Sequence, residues 1–159
     1  MNTTIDRRRL LAAGFALTPL AAALAACGRS ENWAEGMRPI KWDRDPCAHC
    51  GMVISDRRFA AELCGAASNA VAKFDDVGCA VSWQRDKAQA QPWSADPATR
   101  LWVADMSSTS ERLVWLDARA AHYVSMTSPM GYNLAASAQP QAGVVDFQTM
   151  RERALARKE

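Results

Sequence analysis

The apolar run from Leu10 to Ala26 stops at a cysteine, and this sets the first 26 residues apart before any fold is considered. Arg7-Arg8-Arg9 precede the run and Thr18-Pro19 interrupts it. A membrane span needs about 20 consecutive apolar residues, and this run falls short. A charged head, a short apolar stretch and small residues before a cleavage point are the pattern of an export leader. Whatever globular structure the chain forms must therefore be built from the residues after Cys27.

Two local signatures give the leader its type. Asp6-Arg7-Arg8-Arg9-Leu10-Leu11 resembles a twin-arginine export signal. Leu24-Ala25-Ala26-Cys27 resembles a bacterial lipobox, which predicts cleavage before Cys27 and lipidation of that residue. The alternative is one N-terminal transmembrane helix with Cys27 incidental; the proline break and the small residues before the cysteine argue against it. The expected division is a signal peptide over 1–26, a lipidated flexible linker over 27–41 and a folded domain over 42–159. Acyl chains would hold that domain at a membrane surface, outside the cytoplasm. Removing the leader takes away Arg7, Arg8, Arg9 and Asp6, leaving 19 − 3 = 16 basic against 17 − 1 = 16 acidic residues. A formally neutral domain lacks the basic stripe that nucleic-acid binding needs.

Within that domain, Asp45-Pro46-Cys47-Ala48-His49-Cys50-Gly51-Met52 concentrates two thiols, an imidazole and a thioether. A Cys-x-x-Cys pair alone serves redox chemistry, zinc or an iron cluster. A methionine two residues later shifts the balance, because thioether sulfur is a poor zinc ligand and a good one for Cu(I). Apart from Cys27, the cysteines are Cys47, Cys50, Cys64 and Cys79, an even number that also suits two disulfides in an oxidising compartment. Cys64 and Cys79 are either a disulfide or buried free thiols, which pack as small hydrophobes.

The pattern of apolar residues predicts an α+β domain. Strands are expected over Gly51–Ser55, Arg57–Cys64 and Ala70–Phe74, followed by a helix capped by Asp75 or Asp76 that frays by Ala90. A second pass offers strands at Arg100–Asp105 and Leu113–Leu116 and a short helix over Ala118–His122 capped by Asp117. Short strands at Val124–Met126 and Asn133–Ala136 then flank a Pro-Met-Gly turn. Asp146 is placed to cap a C-terminal helix within Val144–Lys158. Two related strand–strand–helix–strand units imply antiparallel sheets. Asp75-Asp76 invites an acid/base reading, but paired carboxylates at a helix start are explained by capping and the helix dipole. No nucleophile supported by histidine and no phosphate loop accompanies them, so a non-enzymatic protein is expected.

Several segments together carry a family likeness. Cys47-x-x-Cys50-Gly51-Met52, Phe59-Ala60-Ala61-Glu62 and Phe74-Asp75-Asp76-Val77-Gly78-Cys79 resemble the NosL copper chaperones. So do Ala120-x-x-Tyr123-Val124 and Pro129-Met130-Gly131 with Ala135-Ala136. The resemblance implies a lipoprotein that holds Cu(I) in the bacterial periplasm, anchored to a membrane. It further implies delivery of copper to nitrous oxide reductase with an ABC-transporter-like membrane complex, and a fold akin to organomercurial lyase. Carried over to this chain, Cys50, Met52 and Met130 are the expected copper ligands. One departure is Leu134-Ala135-Ala136-Ser137, where the family tends to place an aromatic after the alanine.

Chemistry refines the ligand set. Thiolates supply affinity for Cu(I), and a neutral thioether adds selectivity without charge. If Cys50-x-Met52 starts a strand, its two-residue period projects both sulfurs to one side. Cys47 is an additional ligand, or a disulfide partner that switches the site off when oxidised. His49 is a nitrogen donor or a solvent-facing side chain. Two rivals remain: a thiol–disulfide oxidoreductase using Cys47 and Cys50, and a structural zinc site built from Cys47, Cys50, Cys64 and Cys79. Bond-cleaving organomercurial chemistry would rest on fold analogy alone.

Overall fold

The computed structural model describes residues 32–157; the expected signal peptide and Cys27 lie outside them. The domain is α+β with antiparallel sheets, as the sequence predicts. Strands β1 (Ala61–Cys64), β2 (Val71–Phe74), β3 (Arg100–Ala104) and β4 (Trp115–Asp117) form one sheet in the order β2-β1-β3-β4. Strands β5 (His122–Ser125) and β6 (Leu134–Ser137) form a separate hairpin. Helix α1 (Val77–Lys87) lies between β2 and β3 in sequence, and helix α2 (Phe147–Ala156) follows the hairpin.

Strand alternation divides the larger sheet into two faces. Register pairs Ala61 with Phe74 and Val103, and Leu63 with Ala72 and Leu101, so these apolar side chains share one face. All of them are buried, and α1 and α2 cover them with Val77, Ala80, Val81, Met150 and Ala154. Asp76 accepts a hydrogen bond from the Gly78 amide at 2.9 Å and so starts α1; Asp146 does the same for α2 through Thr149 at 2.8 Å. The other face carries Glu62, Cys64, Lys73, Arg100 and Trp102.

That second face is covered by the segment expected to be linker. From Trp33 to Lys41 the chain is part of the folded unit. Trp33 stacks on Trp42 and packs at a tilt against Trp115, and Ile40 is buried in the core. The Arg38 amide donates to Glu62 at 2.6 Å, and the Trp102 indole donates to the Glu35 carbonyl at 3.0 Å. The polar composition suggested a linker, but the buried carboxylate and the indoles supply the partners that dock it.

Two expected elements are replaced by turns. Gly51–Ser55 forms no strand, only an isolated bridge between Pro46 and Val53, because the cysteine loop reverses the chain there. Ala118–His122 is not helical. Asp117 accepts the Arg119 amide on its side chain and the Ala120 and Ala121 amides on its carbonyl, while the buried Tyr123 hydroxyl donates to the Ala118 carbonyl at 2.7 Å. These bonds close a single turn, and His122 already belongs to β5. The second half therefore runs through four strands, β3 to β6, before its helix α2. The β5–β6 hairpin is stitched to the end of β3 by the Met106 amide on the Ala136 carbonyl and by the Ala138 amide on Asp105.

Candidate metal centre

The cysteine loop is closed by its own backbone. The Cys47 amide donates to the Met52 carbonyl at 2.7 Å, and the Gly51 amide donates to the Cys47 carbonyl at 3.0 Å. Gly51 has φ +76°, a left-handed conformation that glycine adopts without a side-chain clash. The Ala48 amide then donates to the outward-facing Lys73 carbonyl on the sheet's edge strand β2, at 2.8 Å. The Lys73 ammonium ties the same region down a second time, bonding Asp45 and the Pro39 carbonyl at 2.7 Å each.

This loop brings Cys47 and Cys50 to the start of α1, where Cys79 occupies the first helical turn. The sulfurs of Cys47, Cys50 and Cys79 lie within 4.8 Å of one another, and all three are free thiols. Cys47 and Cys79 are buried and Cys50 is half-buried. Their protons are not equivalent. The Cys79 thiol donates to Cys47, and the amides of Cys50, Asp75 and His49 also point at that sulfur. Against the cost of burial, they hold the Cys47 thiol down at about 5. Cys79 is shifted upward because Cys47 holds its proton and because it is buried. Burial also raises Cys50. The group is thus one thiolate braced by two thiols, a compact all-sulfur set for a soft cation.

Cys79 is the residue that sequence reasoning leaves out of the copper ligand set and joins to the loop only in the rival zinc site. It places Cys79 at a helix start and offers it a disulfide, a buried-thiol or a zinc role. The usable signal is positional: Cys79 lies in the first turn of a helix whose aspartate cap is readable in the sequence, although there it keeps its proton and Cys47 is the thiolate. The structure also removes the disulfide with Cys64. Cys64 is a free thiol on the sheet face turned away from the helices, where it donates to Glu62 at 3.7 Å. It therefore does not join the other three in a four-cysteine zinc site.

The remaining expected site residues are placed differently. Met52 projects into solvent, 58% exposed, beside Val53 at 47%. Because Cys50, Gly51 and Met52 form a turn rather than a strand, the two-residue period does not apply to Cys50 and Met52. His49 is half-buried; its amide serves Cys47, and its ring acts electrostatically on Asp86 of α1. Met130 is half-buried and packs against the core cluster that includes Cys47 and Cys79. Asp75 accepts the Ser55 amide at 3.4 Å while Asp76 caps the helix, so both carboxylates have structural employment.

A family model described as NosL matches residues 40–151 of the chain. The chain is also 31% identical over 138 residues to a copper-binding lipoprotein NosL from Stutzerimonas stutzeri. That match takes in 77% of this chain and 65% of the relative, so the chain spans just under two thirds of the relative's length. Among the described residues, no helix is long and apolar enough to cross a membrane.

Proposed function

The chain belongs to the NosL family, and on that footing we propose that it is a non-catalytic Cu(I) carrier tethered to a membrane through Cys27. The observation that carries this reading is the convergence of the Cys47, Cys50 and Cys79 sulfurs within 4.8 Å. Cu(I) favours thiolate and thioether donors at low coordination number, and this group supplies them without carboxylate competition. Cargo entering the site displaces the thiol protons of Cys79 and Cys50 and bonds to the Cys47 thiolate. Met130 adds a neutral sulfur from the β5–β6 loop. Cys50, the most accessible of the three thiols, and the exposed Met52 are the exit side. There an acceptor's sulfur or imidazole replaces them one ligand at a time. The relative's printed name supports copper as the cargo and lipidation as the tether. The proposed setting is the bacterial periplasm. The proposed recipient is nitrous oxide reductase, loaded together with an ABC-transporter-like membrane complex.

The oxidoreductase alternative is less well supported. Such Cys-x-x-Cys pairs open a helix, whereas Cys47 and Cys50 sit in a turn whose third thiol comes from another element. The test is to titrate the reduced protein with Cu(I) under anaerobic conditions against a colorimetric chelator. Tight binding should weaken in Cys50→Ser and in Met130→Ala; unchanged affinity in both overturns the ligand set. For the client, copper content of nitrous oxide reductase from cells lacking this protein should fall, and full loading in its absence removes the delivery role.

A further inference from the structure

Met130 and Cys79 are 51 positions apart, yet one carboxylate links the loop of the first to the helix of the second. Asp76 is fully buried. One of its oxygens caps α1 through the Gly78 amide at 2.9 Å, and the other takes the Ser128 hydroxyl at 2.5 Å. The Met130 amide faces the same carboxylate. Ser128 in turn organises the loop. Its hydroxyl accepts the Asn133 amide at 2.9 Å, its amide donates to the Asn133 side chain at 3.2 Å, and its carbonyl accepts the Gly131 amide at 3.0 Å.

A second contact fixes the same loop against the same helix turn. The Tyr132 ring lies directly on Gly78, where a Cβ would come within 2.1 Å of it, and the Tyr132 hydroxyl reaches Ser82 at 3.3 Å. Arg157 covers the other side, stacking over that ring at 5.5 Å and donating to the Gly131 carbonyl. A turn methionine is ordinarily free to move; this one sits in a loop that Ser128 bonds to the residue three before Cys79.

We infer that Asp76, acting through Ser128, is the positioning residue that presents Met130 to the three thiols. The inference rests on the proposal that Met130 is a copper ligand, and it assigns to a buried carboxylate the task of delivering that ligand. The role is distinct from metal binding, because both Asp76 oxygens are occupied by hydrogen-bond donors. Partners that orient a metal ligand from behind commonly contribute about 10–100-fold in affinity.

The test compares Ser128→Ala, Asp76→Asn, Met130→Ala and the double variant Ser128→Ala/Met130→Ala in the reduced protein, with Cu(I) and Zn(II) as probes. Thermal melts check that each variant folds, and Ser128→Ala leaves the helix cap intact should Asp76→Asn fail that check. Ser128→Ala is expected to weaken Cu(I) binding about tenfold. Zn(II), for which a thioether is a poor ligand, should bind as before. The double variant should be no weaker than Met130→Ala, and X-ray absorption should show one sulfur fewer around Cu(I) in each single variant that folds. Cu(I) and Zn(II) affinities falling together would mean general loosening and overturn the inference. Loss in Met130→Ala with none in Ser128→Ala would overturn it while leaving Met130 a ligand. No loss in Met130→Ala would overturn the ligand assignment itself, and the inference with it.

Discussion

On the helix side of the four-stranded sheet, Cys47 is held as a thiolate at about 5; on the opposite face, Cys64 is pushed up to about 12. Both residues are buried, so burial alone does not separate them. The neighbours do. Cys47 receives a thiol and three backbone amides, all donors, gathered by a turn and a helix start. Cys64 is raised first by burial and then by the Glu62 carboxylate beside it, which needs the thiol proton for itself. Donors around a sulfur make a soft-metal ligand, and an acceptor beside one makes an inert packing group. One sheet therefore separates a compact thiol cluster from a thiol that donates to Glu62, the carboxylate that docks the 33–41 segment, or strap.

The largest expected consequence of that difference lies in metal binding. Cys79→Ser removes a sulfur from the triad and should cost about 100-fold or more in Cu(I) affinity, about 3 kcal/mol. Cys64→Ser keeps a hydrogen-bond donor for Glu62 and should leave the affinity unchanged. Chelator competition on both variants reads this directly. Equal losses would mean that the two faces are not chemically separate.

The two faces also predict opposite pH dependences of stability. Cys47 has a folded value depressed from 9.0 to about 5, so its contribution is fully present above 9 and is lost as pH falls towards 5. Glu62 has a folded value raised from 4.5 to about 7, mainly by burial, so its contribution is greatest below 4.5 and is lost as pH rises to 7. Between pH 5 and 7 the slopes oppose each other, each on the order of 1 kcal/mol per pH unit for the metal-free, reduced protein. Relative to wild type, Glu62→Gln should make stability climb more steeply with pH across this window. Cys47→Ser should make it fall. Asp76 titrates in all three proteins and cancels from the comparison. Urea midpoints at pH 5, 6 and 7 measure the slopes, and identical profiles would refute both assignments.

How far these two sites are legible in the sequence follows from how far apart their parts lie. Helix α1 is readable because Asp76 caps it a few residues from where it acts. Strands β1 to β3 are readable because alternation is local, and the β5–β6 hairpin because Pro129 and Gly131 mark its turn. The thiol triad is not readable as a unit, since Cys79 meets Cys47 only when β2 carries the chain back past the cysteine loop. The strap is harder still. Arg38 finds Glu62 across 24 positions and Glu35 finds Trp102 across 67, so a stretch with a linker's composition docks on partners that no local pattern announces. The β-branched pair Val53-Ile54 misleads in the other direction. It has strand propensity, but the loop before it leaves only the bridge to Pro46.

The smallest expected effect tests whether the strap is a true part of the second site. Trp102 lies across from Glu62 on β3, and its indole donates to the Glu35 carbonyl at 3.0 Å from an only partly buried position. Trp102→Phe keeps most of the ring's packing and deletes this one donor, which should cost about 0.5–1.5 kcal/mol in global stability. The loss should be local as well. Amide exchange should quicken over residues 33–40, while the amides that face Cys47 keep their protection and Cu(I) affinity stays at the wild-type value. The Lys73 ammonium touches both the Pro39 carbonyl of the strap and Asp45 before the cysteine loop. If loosening the strap also weakens copper binding, Lys73 couples the two faces mechanically, and their independence holds for chemistry but not for motion.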